Sequence, residues 1–182
     1  MRIGILGGSF DPPHYGHLHI TMNLLKILQL NELWWVLTRQ NPLKFNSKYN
    51  LEERLLLANK ITCDYKRVKV IYVDSCYSYH VVTYLKRRYY NVNFIWLMGS
   101  DNLLFFHKWY RWKDFCQLIP ILVFERKNYV YNALKSCFSY SQYQRYVNVG
   151  LLIKELYGWS FVRSVTYDMS STKIRGYSLN KN

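Results

Sequence analysis

No apolar run in this chain of 182 residues approaches the roughly 20 residues of a membrane-spanning helix. The longest, such as Leu118–Phe124, have strand length. The N-terminus lacks a secretory core as well. Arg2 precedes a short apolar stretch, but Gly7, Gly8, Asp11 and two prolines interrupt it at once. The expectation is a cytoplasmic protein without a membrane partner. Cysteine is scarce: Cys63, Cys76, Cys116 and Cys137 are scattered, with no pair at metal-ligand spacing. That argues against a disulfide framework or a zinc site and predicts buried free thiols.

Acidic residues are also few, 11 against 25 lysines and arginines, for a formal charge of +14. Such an excess fits nucleic-acid binding, attraction of small polyanions such as nucleoside triphosphates, or a compositional drift without function. Charge does not choose among them. The chain has no internal repeat, linker or low-complexity tract. Half its residues are apolar and 18% aromatic, which excludes a disordered chain. Its length suits one compact domain over 1–182 and is too short for two of ordinary size.

What is present is an alternation of short apolar runs with amphipathic stretches. Ile3–Leu6, Leu33–Leu37, Val68–Val73, Phe94–Met98, Ile121–Phe124 and Phe161–Val165 read as strands. Most are continuously apolar, as in a parallel sheet covered on both faces. Between them, Leu18, Met22, Leu25 and Leu28 form a stripe at helical spacing. Asn50 and Glu53 predict a capping box opening Leu51–Ile61. Ser78 is placed to cap a helix with Val81, Val82, Leu85 and Tyr89 on its inner face. The βαβ order predicts a doubly wound, Rossmann-like α/β fold with sites at the carboxyl ends of the strands. Residues 127–158 lack a clear period, although Leu151–Leu156 suggests a helix.

The chemistry concentrates in Gly7-Gly8-Ser9-Phe10-Asp11-Pro12-Pro13-His14-Tyr15-Gly16-His17-Leu18, where the first strand runs into the first helix. Two glycines let the backbone approach a ligand and present amides to phosphate. His14 and His17 fall three apart on one face at the positive end of a helix, which favours anions. The segment is neither the dinucleotide fingerprint nor a P-loop. Its bland alternative is a strand-to-helix turn whose histidines only cap and pack. A second segment, Ser170-Ser171-Thr172-Lys173-Ile174-Arg175, offers hydroxyls, free amides and positive charge at a helix start. Its bland alternative is a serine cap with solvated basic residues.

Together these segments resemble the HxGH nucleotidyltransferase superfamily and, within it, bacterial nicotinate-nucleotide adenylyltransferases. The likeness covers almost the full length and is strongest at residues 1–60, 77–115 and 168–176. Ser78-Tyr79, Gly99-Ser100-Asp101, Trp109-Tyr110 and Lys44 match further family positions. His80 stands where the family has Thr, and Lys127-Asn128 replaces a Pro-Gly pair after the matched Arg126. Seven residues follow Arg175, fewer than in many relatives.

The resemblance implies that the 5′-phosphate of nicotinate mononucleotide attacks the α-phosphorus of ATP, releasing pyrophosphate without an enzyme nucleophile. It implies ATP contacts from Gly7, Gly8, Ser9, Phe10, His14, His17, Gly99, Asp101, Ser170, Ser171, Thr172 and Arg175. His14, His17 and Arg175 are the expected catalytic groups. Lys44, Tyr79, His80, Trp109 and Tyr110 would hold the acceptor. Magnesium is expected to arrive with ATP, and no metal ligands of the chain's own are expected. Nicotinamide mononucleotide and phosphopantetheine are the rival acceptors. A basic nucleic-acid-binding module, suggested by Lys86-Arg87-Arg88-Tyr89-Tyr90, is the rival from another class, although that run reads as the solvated end of a helix.

Overall fold

The computed structural model describes residues 1–39, 48–126, 129–136, 138–139 and 143–163. Lys44, Lys127-Asn128, Cys137 and the segment from Ser170 to Arg175 lie outside the described residues.

Among the described residues the strands are β1 (Arg2–Gly8), β2 (Glu32–Thr38), β3 (Val68–Val73), β4 (Asn93–Gly99), β5 (Ile121–Phe124), β6 (Arg145–Tyr146) and β7 (Trp159–Val162). They form one sheet in the order β3-β2-β1-β4-β5-β7-β6, and every pair is parallel. Among the described residues the α-helices are α1 (Tyr15–Ile27), α2 (Leu51–Thr62), α3 (Ser78–Arg88), α4 (Ser100–Leu103), α5 (Trp112–Leu118), α6 (Val130–Leu134) and α7 (Val149–Glu155). The doubly wound α/β expectation therefore holds.

Period-two alternation distributes the strand residues between two cores. Ile3, Ile5, Trp34, Val36, Phe94, Trp96, Ile121 and Val123 pack on one face with residues of α3, α4, α5 and α6. Leu6, Leu33, Trp35, Leu37, Ile95, Leu97, Leu122 and Phe124 pack on the other with α1, α2 and α7. Burial on both faces explains why these strands read as unbroken apolar runs. Each fully buried leucine, such as Leu24 or Leu33, contributes about 1.5–3 kcal/mol relative to exposure.

Several local expectations hold and others are corrected. The capping box is present: Glu53 N donates to Asn50 Oδ1 at 2.9 Å and Asn50 N to Glu53 Oε2 at 2.8 Å. On α1, Leu18 and Leu25 are buried as expected, whereas Met22 is only half-buried and Leu24 fills the core instead. Ser78 does not cap α3. Tyr77 is the N-cap residue, and its amide is taken by Ser75 Oγ at 3.1 Å. Val81, Val82 and Leu85 form the inner face, but Tyr89 lies past the helix end and is exposed.

The last strand starts two residues earlier than expected, at Trp159, because Trp159 pairs with both Ile121 and Arg145. It ends at Val162. Residues 130–134 and 145–146 form an additional short helix and strand. Of the described thiols only Cys116 is buried, and burial pushes it up to about 12. Cys63 at the end of α2 is exposed and Cys76 after β3 is half-buried, which corrects the expectation of burial.

Candidate active site

In the observed strand order β1 and β4 are neighbours, while α1 leads on to β2 and α4 and α5 lead on to β5. The chain thus leaves β1 and β4 in opposite directions, which opens a crevice at their carboxyl ends. Gly7 and Gly8 end β1, and Gly99 ends β4. The register pairs Leu6 with Leu97, so the two glycine ends lie side by side.

His14 is the N-cap residue of α1, and both motif imidazoles take part in the cap. His14 Nδ1 accepts from Gly16 N at 3.1 Å, and His17 Nδ1 accepts from His14 N at 3.2 Å. The ring centroids are 3.9 Å apart. An acceptor at Nδ1 puts the proton of each neutral ring on Nε2, so the cap fixes the tautomers. His14 is buried, and its Nε2 has no hydrogen-bond partner among the described residues. Burial first, and then the charge of Arg126, hold its imidazole at about 4, well below the usual range. His14 is therefore a neutral N–H donor at physiological pH. The capping alternative is realised, yet it leaves Nε2 of His14 for a ligand.

The rest of the loop is fixed from below. Phe10 adopts φ 47° and buries its ring on Trp35, with centroids 5.0 Å apart and planes 19° apart. Its side chain belongs to the core, so contact with a ligand would come from its backbone. Asp11 is buried and accepts from Lys48 N at 3.1 Å and Tyr49 N at 3.0 Å. Arg54, a buried cation on α2, donates through Nη1 to Ser9 O at 2.6 Å and Thr38 O at 3.2 Å. Desolvation lowers the pKa of Arg54, while nearby Asp11 opposes that shift.

At the end of β4, Asp101 does not cap a helix: Gly99 is the N-cap residue of α4. Asp101 Oδ2 instead accepts from Arg126 Nη1 at 2.8 Å. Ser100 Oγ accepts from Arg126 N at 2.9 Å. A Cβ at Gly99 would fall 2.5 Å from Asp101 Oδ1 and 3.1 Å from Arg126 Cδ, so this pair packs directly on the glycine.

Of the expected acceptor residues, Tyr79, His80 and Tyr110 converge, around the start of α3 and the turn before α5. The Tyr110 ring lies 5.2 Å from His80 and 6.2 Å from Tyr79, and Tyr77 joins them at 4.7 Å from Tyr110. His80 and Tyr110 are exposed and Tyr79 is half-buried. Trp109 is half-buried and packs edge-on against Trp96 at 6.2 Å, so core packing accounts for part of its surface.

Sequence reading passed over Asp11, Arg54, Arg126 and Tyr77 as working parts. Arg54 had a signal: with Ala58 and Thr62 it forms the buried i, i+4, i+8 line of α2, an odd place for a charge unless it is paired. The ion pair of Arg126 with Asp101 spans 25 positions and left no local trace. Among the described residues no helix is long and apolar enough to cross a membrane, and no three His, Cys, Asp or Glu side chains cluster as a metal site would require.

A solved Plasmodium falciparum nicotinic acid mononucleotide adenylyltransferase complexed with NaAD superposes with a TM-score of 0.71 at 18% identity. The match covers 100% of this chain and 85% of that one. The same protein complexed with APC gives a TM-score of 0.65 over 97% of this chain and 83% of that one, also at 18% identity. At such identity the likeness establishes the fold. Sequence relatives are nearer. A chain of Brucella suis biovar 1 (strain 1330), named "Probable nicotinate-nucleotide adenylyltransferase", is 34% identical over 100% of this chain and 97% of its own length. A chain of the same name from Pelagibacter ubique (strain HTCC1062) is 42% identical over 74% of this chain and 77% of its own. The profile of the family described as cytidylyltransferase-like matches residues 5–176. With its parallel sheet, its imidazole-capped loop at the β1–β4 crevice and relatives along its full length, this chain belongs to the cytidylyltransferase-like family and, within it, to the nicotinate-nucleotide adenylyltransferases.

Proposed function

We propose that this chain, acting as a single nucleotidyltransferase domain over 1–182, transfers AMP from ATP to nicotinate mononucleotide, giving nicotinate adenine dinucleotide and pyrophosphate. A relative named for nicotinate-nucleotide adenylyl transfer along the whole chain, and another over 74% of it, support the reaction. The observation that carries the site is His14 Nε2, a buried donor without a partner among the described residues, in the loop leaving β1. An unpaired buried N–H costs about 1–3 kcal/mol, which a phosphate oxygen would recover.

Transfer at a phosphate asks little covalent chemistry of a protein. Alignment of the reactants and stabilisation of charge on the oxygens do most of the work. His14 donates from Nε2 to a phosphate oxygen of ATP, and His17 does the same from its own Nε2. The amides of Gly7 to Phe10 and the positive end of α1 supply further positive potential. Gly99 and Asp101 face the nucleoside, with the hydrogen bond from Arg126 holding Asp101 in orientation.

Ser170, Ser171, Thr172 and Arg175 hold the leaving pyrophosphate, and Lys44 orients the attacking phosphate; these roles come from the motif likeness. Tyr79, His80, Trp109 and Tyr110 receive the pyridine ring, to which an aromatic face offers about 1–3 kcal/mol of stacking. Magnesium would accompany ATP as part of the substrate and would supply shielding of the triphosphate charge. Asp101 is already engaged by Arg126, so it fits a positioning role better than a metal ligand.

The deciding experiment is pyrophosphate release with ATP and each of nicotinate mononucleotide, nicotinamide mononucleotide and phosphopantetheine. Turnover strongest with the first is expected. Preference for another acceptor, or salt-sensitive binding to RNA or DNA without ATP turnover, would overturn the proposal.

A further inference from the structure

Arg111 joins the turn after Trp109-Tyr110 to α5 and adopts φ 51°, ψ 39°. This left-handed conformation disfavours side chains other than those of glycine and asparagine, and such residues gather where a site requires a particular aim. Here the aim is over the aromatic cluster. The guanidinium carbon lies 4.5 Å from the centroid of the Tyr79 ring. Nε donates to Asp114 Oδ2 at 2.6 Å, which fixes the plane of the group. The two terminal nitrogens make no hydrogen bond among the described residues. They form a flat fork of the kind that matches a carboxylate with two parallel bonds.

Tyr79 and Tyr110 belong to the acceptor pocket proposed above, and this inference rests on that placement. We infer that Arg111 is a specificity-determining residue, pairing with the carboxylate of the acceptor ring and so favouring nicotinate over its uncharged amide counterpart. The pyridine ring meets the tyrosines, and its carboxylate meets the fork at their rim. The side chain of Arg111 is 49% exposed. Solvent screening therefore limits the selectivity it supplies to about tenfold, and added salt should reduce it.

The backbone provides a clean variant. Glycine suits φ 51°, so Arg111→Gly removes the guanidinium without imposing strain, and Arg111→Asn is a second variant that tolerates the same conformation. The measurement is kcat/KM for nicotinate mononucleotide and nicotinamide mononucleotide, at low and high salt, with thermal melts to confirm folding. The expected result is a fall of about tenfold in the ratio of the two constants, mainly through KM of the nicotinate form, with Arg111→Lys intermediate. An unchanged ratio, or equal losses on both acceptors, would overturn the assignment. A wild-type protein that uses neither acceptor would overturn the function proposed above, and this inference with it.

Discussion

Arg126 reaches from the loop after β5 to Asp101 at the end of β4, Nη1 to Oδ2 at 2.8 Å, while its own amide is held by Ser100 Oγ at 2.9 Å. Two strand ends are thus tied by one residue, in the crevice where β1 and β4 diverge. The same guanidinium charge bears on His14 and helps to keep that imidazole neutral. The carboxylate of Asp101, the imidazole of His14 and the end of β5 therefore share one electrostatic neighbour.

The pair should show coupling. Its side chains are 31% and 27% exposed, so it lies between a surface bridge and a buried one. Arg126→Met and Asp101→Asn should each destabilise the protein, and a double-mutant cycle in urea should give a coupling of about 1 kcal/mol. Additive losses would show that the two groups stand close without interacting.

A second expectation concerns acid. The unfolded chain takes up a proton on His14 near pH 6.5, whereas the folded imidazole resists until about pH 4. Between those values the unfolded state binds more protons, so stability falls as pH drops from 6.5 to 4 and is unaffected by this group above that window. The total is on the order of 3 kcal/mol. His14→Asn retains an N-cap acceptor, so its acid limb should be flatter than that of the wild type by this amount. Superimposable limbs in denaturant titrations across pH 4–7 would refute the assignment.

The sequence made the sheet and the capped loop after β1 readable because both depend on local pattern: continuous apolar strands, glycines at a strand end, and imidazoles at a helix start. Ser78 was misread because a serine three residues earlier, Ser75, holds the amide at the start of α3. Tyr89 was misplaced because the helix ends before its next turn can form. The contacts of Arg126 and Arg54 stayed hidden because their partners are distant in the chain and, for Arg54, are main-chain carbonyls, which carry no residue identity.

Gly7 illustrates how tightly the loop fits the core. A Cβ there would overlap Cη2 of Trp96 and fall 2.7 Å from its Cζ2, and Trp96 is itself buried. Gly7→Ala should cost about 1–3 kcal/mol by overpacking and displace the loop after β1. Trp96→Phe trims the clashing ring, so the double variant should regain ATP affinity relative to Gly7→Ala alone. Failure to regain it would point to backbone conformation, not volume, as the reason for glycine.

His17→Ala tests the anion site directly. Loss of one charge-stabilising donor of this type costs on the order of 100- to 1,000-fold in turnover. His17 also shares the cap of α1 through Nδ1, so the variant should lose some stability as well. His17→Asn can keep a short-range acceptor while removing Nε2. Both variants should lose turnover while differing in melting temperature. Near-normal turnover in either would remove His17 from the chemistry.

Arg54 should govern the loop without touching the reactants. Its Nη1 holds the carbonyls of Ser9 and Thr38, and its Nε lies 3.4 Å from Asn50 O, so one guanidinium joins the loop after β1, the end of β2 and the start of α2. Arg54→Met keeps most of the volume but leaves these carbonyls, and the buried carboxylate of Asp11, without the cation; a loss of about 2–4 kcal/mol is expected. Arg54→Lys keeps the charge but not the fork, so it should recover part of the stability and less of the loop geometry. The distinguishing measurement is KM for ATP under conditions where both variants are fully folded. A KM raised several-fold in Arg54→Lys, with melting nearer to wild type than that of Arg54→Met, would show that the guanidinium positions the loop; an unchanged KM in folded Arg54→Met would confine it to stability.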